Sequence, residues 1–249
     1  MMWSRWNIAV GGLFFKYRNA LFPVLFALAA LIGRPQVIFG DPALDRALGL
    51  CGVLVALTGQ LVRLVTIGYE YIERGGKQGK VYASRLVQGG VYALTRNPMY
   101  LGNGLIAIGI AMVAGAPIVY LIVLPLFLYI YHAIIAAEEA YLRRQFGVEY
   151  ERYCQRVNRL LPSLGRAGAV LGRLAYDWRR AVRRDLSTMA ALFLALVLLP
   201  TVRRLWLEGW DDVQDDALAI GVAVLVVLGL YGIAATLKRQ GKVFYAREG

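Results

Sequence analysis

Residues 100–137 read YLGNGLIAIGIAMVAGAPIVYLIVLPLFLYIYHAIIAA, and this stretch decides the fold. It holds 38 residues without one Asp, Glu, Lys or Arg. A helix needs about 20 apolar residues to cross the hydrocarbon core of a bilayer. The stretch is therefore long enough for two crossings, and its turn chemistry is Gly115-Ala116 ahead of Pro117. The pattern predicts two helical spans, 100–114 and 117–137, folded into a tight antiparallel hairpin.

Four further segments are apolar over a comparable length: 20–39, interrupted by Arg34 and Pro35, then 47–68, 186–202 and 217–237. With 59% hydrophobic and 18% charged residues, the chain is more apolar and less charged than soluble domains. The expected fold class is all-α, a polytopic membrane helical bundle of about six transmembrane helices plus cytoplasmic interfacial helices. Trp3, Arg5, Trp6, Lys16 and Arg18 precede the first apolar run, which reads as a retained span rather than a cleaved signal. Cys51 and Cys154 lie in different settings and suggest neither a disulfide framework nor a metal site.

Charge orients the spans. With the N-terminus inside, the cytoplasmic segments carry 23 of the 28 Lys and Arg residues. They include Arg74, Lys77 and Lys80, eleven arginines from Arg143 to Arg184, and Lys238, Arg239, Lys242 and Arg247. The outer segments carry four: Arg34, Arg46, Arg203 and Arg204. Basic residues are retained on the cytoplasmic side during insertion, so both termini are expected there. The loop with Asp211, Asp212, Asp215 and Asp216 falls outside. A net charge of +12 raises the question of nucleic acid, but the bases flank spans, where anionic lipid headgroups are the natural partner. Within 163–185, Leu171, Leu174, Trp178 and Val182 recur at helical spacing among Arg173, Arg179, Arg180, Arg183 and Arg184, as in a helix lying in the interface. The organisation read from the sequence is an N-terminal segment and first span (1–45), a core (46–162), a basic amphipathic helix (163–185) and two added spans (186–249).

Two polar clusters interrupt the apolar pattern on the cytoplasmic side. In the first, Gly89-Gly90 permits a sharp turn, and Asn97-Pro98 predicts that a helix starts at Pro98. The amides of that helix start, with Arg96 beside them, suit a carboxylate. In the second, Glu138-Glu139 closes the fourth span. Glu139 is spaced to pair with Arg143 at i, i+4, while Glu138 points elsewhere. His132 shares a face with Glu139, being nearly two turns before it. Arg63 lies inside the second span, where a guanidinium must snorkel or meet an acid or a ligand.

Arg96-Asn97-Pro98-Met99-Tyr100-Leu101-Gly102, the hairpin, then Glu138-Glu139 with Leu142, Phe146-Gly147, Tyr150, Tyr153, Val157, Arg159 and Pro162 resemble the isoprenylcysteine carboxyl methyltransferase family. The same residues look like the related phosphatidylethanolamine N-methyltransferases, and Asn97 stands where the first family usually has His. The resemblance covers about 48–162. It implies S-adenosylmethionine as cofactor, methyl transfer to a hydrophobic or lipid-like acceptor, and a membrane-embedded pocket. From the charge count the pocket is expected to face the cytoplasm, and the expected location is a bacterial inner membrane. Acceptor chemistry most like isoprenylcysteine carboxyl O-methylation is expected. Phospholipid-type N-methylation, or NADPH-dependent reduction on the scaffold shared with membrane sterol reductases, is the alternative. The residues implied for the cofactor are Gly90, Tyr92, Arg96, Asn97, Pro98, Tyr100, Gly102, Glu138, Glu139, Tyr150, Tyr153 and Arg156. Arg63, Arg96, His132 and Glu139 are implied in catalysis, with Arg63 receiving an anionic acceptor, and no metal is expected. The partners are membrane lipids and the lipidic acceptor, with an oligomer contact through the two C-terminal spans, which are not expected to touch the donor.

Overall fold

Small residues decide which helices meet. In the computed structural model, which describes residues 5–69, 82–172 and 174–240, helix α2 (Pro42–Tyr69) lies antiparallel against α3 (Pro98–Ala114). Gly52 and Ala56 of α2 face Gly109, and Gly59 faces Gly102. A lipid environment supplies no hydrophobic drive between helices, so close backbone approach through glycine and alanine has to supply contact instead. The approach leaves no room for a methyl: a Cβ on Gly109 would stand 2.5 Å from the backbone nitrogen of Ala56. We therefore expect Gly109→Ala to destabilise the protein by about 1–3 kcal/mol through overpacking. That outweighs the gain of about 1 kcal/mol from replacing glycine within a helix. Thermal unfolding in detergent measures the balance, and an unchanged or raised midpoint would show that the helices separate freely.

The second pairing is aromatic. Helix α1 (Arg5–Ile32) runs antiparallel to α4 (Leu124–Arg156). Phe22 packs on Phe127 and Tyr131 at ring-centroid distances of 5.1 and 4.9 Å, and Phe15, Ile130 and Ile134 are buried between the helices. Gly115, at φ 60°, ends α3 in the left-handed conformation, and a π-helical turn (Val119–Val123) leads into α4. The hairpin expected from 100–137 is present, with Asn103 opposite Tyr131 and Tyr100 opposite Glu138. Its two arms nevertheless pack mainly outward, α3 on α2 and α4 on α1, rather than on each other.

Helix α6 (Trp178–Leu207) packs on α2 and α3, and α7 (Ala217–Arg239) packs on α6. No strand is present among the described residues. The protein is an all-α membrane helical bundle. Among the described residues, four helices are long and apolar enough to cross a bilayer: Pro42–Tyr69, Val119–Arg156, Trp178–Leu207 and Gln214–Arg239. The apolar helix Pro98–Ala114 is shorter, at 17 residues.

Three expectations change. The first helix is not confined to 20–39: it starts at Arg5 and stops at Ile32, so Arg34 and Pro35 lie beyond it. Lys16 and Arg18 consequently fall within the helix, with the Arg18 guanidinium 4.1 Å from the centroid of the Phe15 ring. The interfacial helix expected over 163–185 divides into a short α5 (Ala167–Leu171) and the opening turns of α6. Asp177 caps α6 by accepting from the Arg180 amide at 2.9 Å. Arg180 does not face headgroups alone: it donates to the carbonyls of Ile67 at 3.0 Å and Gly68 at 2.6 Å, satisfying the end of α2. Opposite charge at a helix C-terminus is favourable, which explains why a run of arginines continues into a spanning helix here. Lastly, Gly147 (φ 48°, ψ −121°) breaks the helical path inside α4. Arg74, Lys77, Lys80, Arg173, Lys242 and Arg247, counted for orientation, and Trp3 lie outside the described residues.

Candidate active site

The N-terminal end of α3 and the C-terminal half of α4 are drawn together by a chain segment that neither helix contains. Gly90, at φ 54°, opens a 3-10 turn (Gly90–Ala93) and is buried. From there 94–97 runs beside 158–163. The Arg96 amide donates to the Asn158 carbonyl at 2.9 Å, the Thr95 hydroxyl to the Leu160 carbonyl at 2.9 Å, and the Ser163 amide to the Leu94 carbonyl at 3.0 Å. Asn97 donates from its side chain to the Arg159 carbonyl at 3.0 Å, and α3 begins at Pro98, as the Asn-Pro pair predicts. The two segments thus carry the side chains of Arg96 and Arg159 to one place.

That place is Glu139. Its carboxylate is buried, with Arg159 Nε donating to Oε1 at 3.1 Å and Arg96 Nη1 3.6 Å from the same oxygen. Arg143, spaced i, i+4 from Glu139, bonds Glu151 through Nε at 2.8 Å across the Gly147 break and acts on Glu139 through its charge. Two guanidiniums on one carboxylate leave the cluster one positive charge in excess. Arg96 also donates to the Cys154 thiol, and its Nε is buried with no hydrogen-bond partner. A buried donor left without a partner is costly.

Glu138 faces the other way. Its Oε1 accepts from the Tyr100 hydroxyl at 2.7 Å. The Tyr100 ring packs edge-on against Tyr131 at 5.1 Å. The two adjacent carboxylates therefore have separate partners, one cationic and one phenolic.

The remaining residues divide by position. Tyr150 and Tyr153 are buried with Val157 and form the packed floor beneath the site, and the Tyr153 hydroxyl donates to the Tyr92 carbonyl at 2.7 Å. Arg156 is exposed and braces the outside, donating to Gln88 at 3.1 Å, while Gln88 donates to Glu149 at 2.8 Å. Gly102 lies under the Arg63 side chain and against Gly59. His132 is exposed, within electrostatic range of Glu139 and Arg159. Arg63 is away from this cluster and is buried against Asp185, Asn103 and Thr188. Among the described residues, no group of His, Cys, Asp and Glu is arranged to hold a metal ion.

Sequence reasoning missed Arg159 as a site residue, along with Thr95 and Cys154. Arg159 lies twenty residues from its partner, beyond the end of the helix, where periodicity gives no guidance. Its place in the Tyr-x-x-Tyr ending was the available signal.

Residues 48–149 match the phospholipid methyltransferase family. The match takes in most of α2, all of α3 and α4 as far as the Gly147 break, and it agrees with the family resemblance carried by the motifs. No curated protein and no solved structure matches the chain. Fold and match together describe a helical integral membrane protein in which residues 48–149 are similar to the phospholipid methyltransferase family. Arg159 and the whole of α6 and α7 lie beyond the matched residues.

Proposed function

We propose that this protein transfers a methyl group from S-adenosylmethionine to a lipid-like acceptor at the cytoplasmic face of the membrane. The observation that carries the reading is the cluster of Arg96, Arg159 and Glu139, with its buried unpartnered Arg96 Nε, inside and beside the segment matching a methyltransferase family. The residues fit the donor. Its carboxylate would satisfy Arg96 Nε and balance the surplus charge, and its ammonium and ribose hydroxyls would find acceptors in Glu138 and Glu139. When bound, S-adenosylmethionine supplies a methyl group already activated on a sulfonium sulfur. What remains for the chain is mainly positioning, holding the acceptor in line while excluding water.

Arg63 bears on the choice of acceptor. That guanidinium was expected to receive an anionic acceptor, but Asp185, Asn103 and Thr188 already engage it. This favours an amine acceptor, as in aminophospholipid N-methylation, over a carboxylate. An amine must lose a proton before it can act as a nucleophile, and we assign that proton to His132, which is exposed and within electrostatic range of Glu139 and Arg159. The acceptor headgroup approaches from the leaflet, and the polar donor enters from the cytoplasm. Protein in nanodiscs, given methyl-labelled donor together with an aminophospholipid or a prenylated cysteine carboxylate, should label the former. Label on the latter alone would return the carboxylate reading, and oxidation of NADPH without any labelling would favour the reductase.

The same reading requires both termini on the cytoplasmic side. Moving Lys16 and Arg18 into α1 leaves the basic asymmetry intact, and Asp212 lies between α6 and α7 at the opposite end. A cysteine placed at Asp212 is expected to react with an impermeant maleimide only from the outer side. Reaction only from the cytoplasm would invert the topology.

A further inference from the structure

Helices α2 and α6 are held in register by two ion pairs of opposite sense. Arg63 of α2 meets Asp185 of α6, and Asp45 of α2 meets Arg203 of α6. The two partners on each helix stand 18 residues apart, which is about five turns at 3.6 residues per turn. Both therefore lie on one face of each helix, and the exchanged signs admit only the antiparallel arrangement.

The pairs are not equivalent in their surroundings. Arg203 holds the Gln36 carbonyl at 3.0 Å and is closed off at the outer end of the bundle. Asp185 is 1% exposed and accepts from Arg63 Nε at 3.0 Å and Gln60 Nε2 at 2.7 Å. Arg63 in turn donates to the Asn103 side-chain oxygen. A guanidinium has no acceptor, so Asn103 must turn its oxygen to Arg63 and its amide away. That amide donates to the Tyr131 hydroxyl at 2.9 Å, and Tyr131 packs on Tyr100, the partner of Glu138.

We infer that Asp185 is a positioning residue for the active site, acting through Arg63 and Asn103 on the Tyr131–Tyr100–Glu138 wall. Helix α6, which lies outside the family-matched residues, thereby belongs to the working bundle without touching the donor. Asp185 keeps the buried Arg63 charge balanced and its guanidinium aimed at Asn103. Without that anion, Arg63 must seek another acceptor or carry water with it, and Asn103 is released to flip.

The inference rests on the methyltransferase reading, and the experiment separates the two. S-adenosylhomocysteine is titrated into full-length protein in nanodiscs, and unfolding midpoints are recorded for each variant. Asp185→Asn and Asp45→Asn each break one of the paired contacts, and both are expected to lower the midpoint. Asp185→Asn should weaken binding about tenfold, whereas Asp45→Asn should stay within about twofold of the parent. Asn103→Leu, which cuts the link while retaining the Arg63–Asp185 pair, should also weaken binding at least about fivefold, and it decides the matter if Asp185→Asn does not fold. Equal binding by Asp185→Asn and the parent, equal losses in the Asp185 and Asp45 variants, or full binding by Asn103→Leu would overturn the inference. Absence of binding by the parent itself would instead overturn the methyltransferase reading.

Discussion

Glu139→Ala is expected to lose both donor binding and about 3–5 kcal/mol of stability. Glu139 is the anion that holds two guanidiniums at the Pro98 end of the bundle, Arg159 at 3.1 Å and Arg96 at 3.6 Å. Removing one partner of a buried ion pair leaves an uncompensated charge, and that cost is typically about 3–5 kcal/mol. Here two charges are left, although the Arg159 side chain keeps 23% of its exposure and can relax toward water. The loss should also propagate, because Arg159 anchors the chain that runs beside 94–97 through the Thr95 and Asn97 contacts. Glu139→Gln retains the shape and one acceptor oxygen, and it should fall between the parent and alanine. Unfolding midpoints and titration of the two variants provide the comparison. A midpoint unchanged in Glu139→Ala would mean that the two arginines are satisfied from elsewhere.

The parts of this site that were legible in the sequence are those carried by local chemistry. Pro98 could start a helix and Asn97 could not continue one, so the α3 boundary was readable. Adjacent carboxylates on a helix must diverge, so separate partners for Glu138 and Glu139 were readable too. Gly115-Ala116 between two apolar runs announced the turn that sets Tyr100 opposite Glu138. Contacts made across long sequence distances were not readable. Arg159 reaches Glu139 from beyond the helix end, and Asp185 reaches Arg63 from a separate span. Both arginine-rich stretches looked like headgroup ligands, because an arginine that caps a neighbouring helix, as Arg180 caps α2, has the same sequence appearance as one that meets phosphate. Asp185 was the available clue: a lone acid among arginines at the start of an apolar run has to be paired with something. The assignment of Arg63 to an anionic acceptor failed to anticipate this, since the paired acid lay in a segment read as a surface helix.

Arg96→Ala carries the second large effect, and it falls on binding. Arg96 Nε is a buried donor with no hydrogen-bond partner within the bundle. A hydrogen bond to a charged group contributes about 1.5–3 kcal/mol, so its removal should weaken S-adenosylhomocysteine binding roughly tenfold to more than a hundredfold. Stability should change less than in Glu139→Ala, because the variant leaves Glu139 its shorter contact with Arg159. Glu149→Ala is the matched control. Glu149 is exposed and accepts from the Gln88 amide at 2.8 Å, so its loss should leave affinity within about twofold.

Calorimetric titration of S-adenosylhomocysteine into the protein in nanodiscs tests the central claim most directly. The account predicts saturable binding by the parent and by Glu149→Ala, with affinity reduced at least about tenfold in Arg96→Ala. Absence of binding by the parent, or equal affinity in Arg96→Ala and Glu149→Ala, would contradict it.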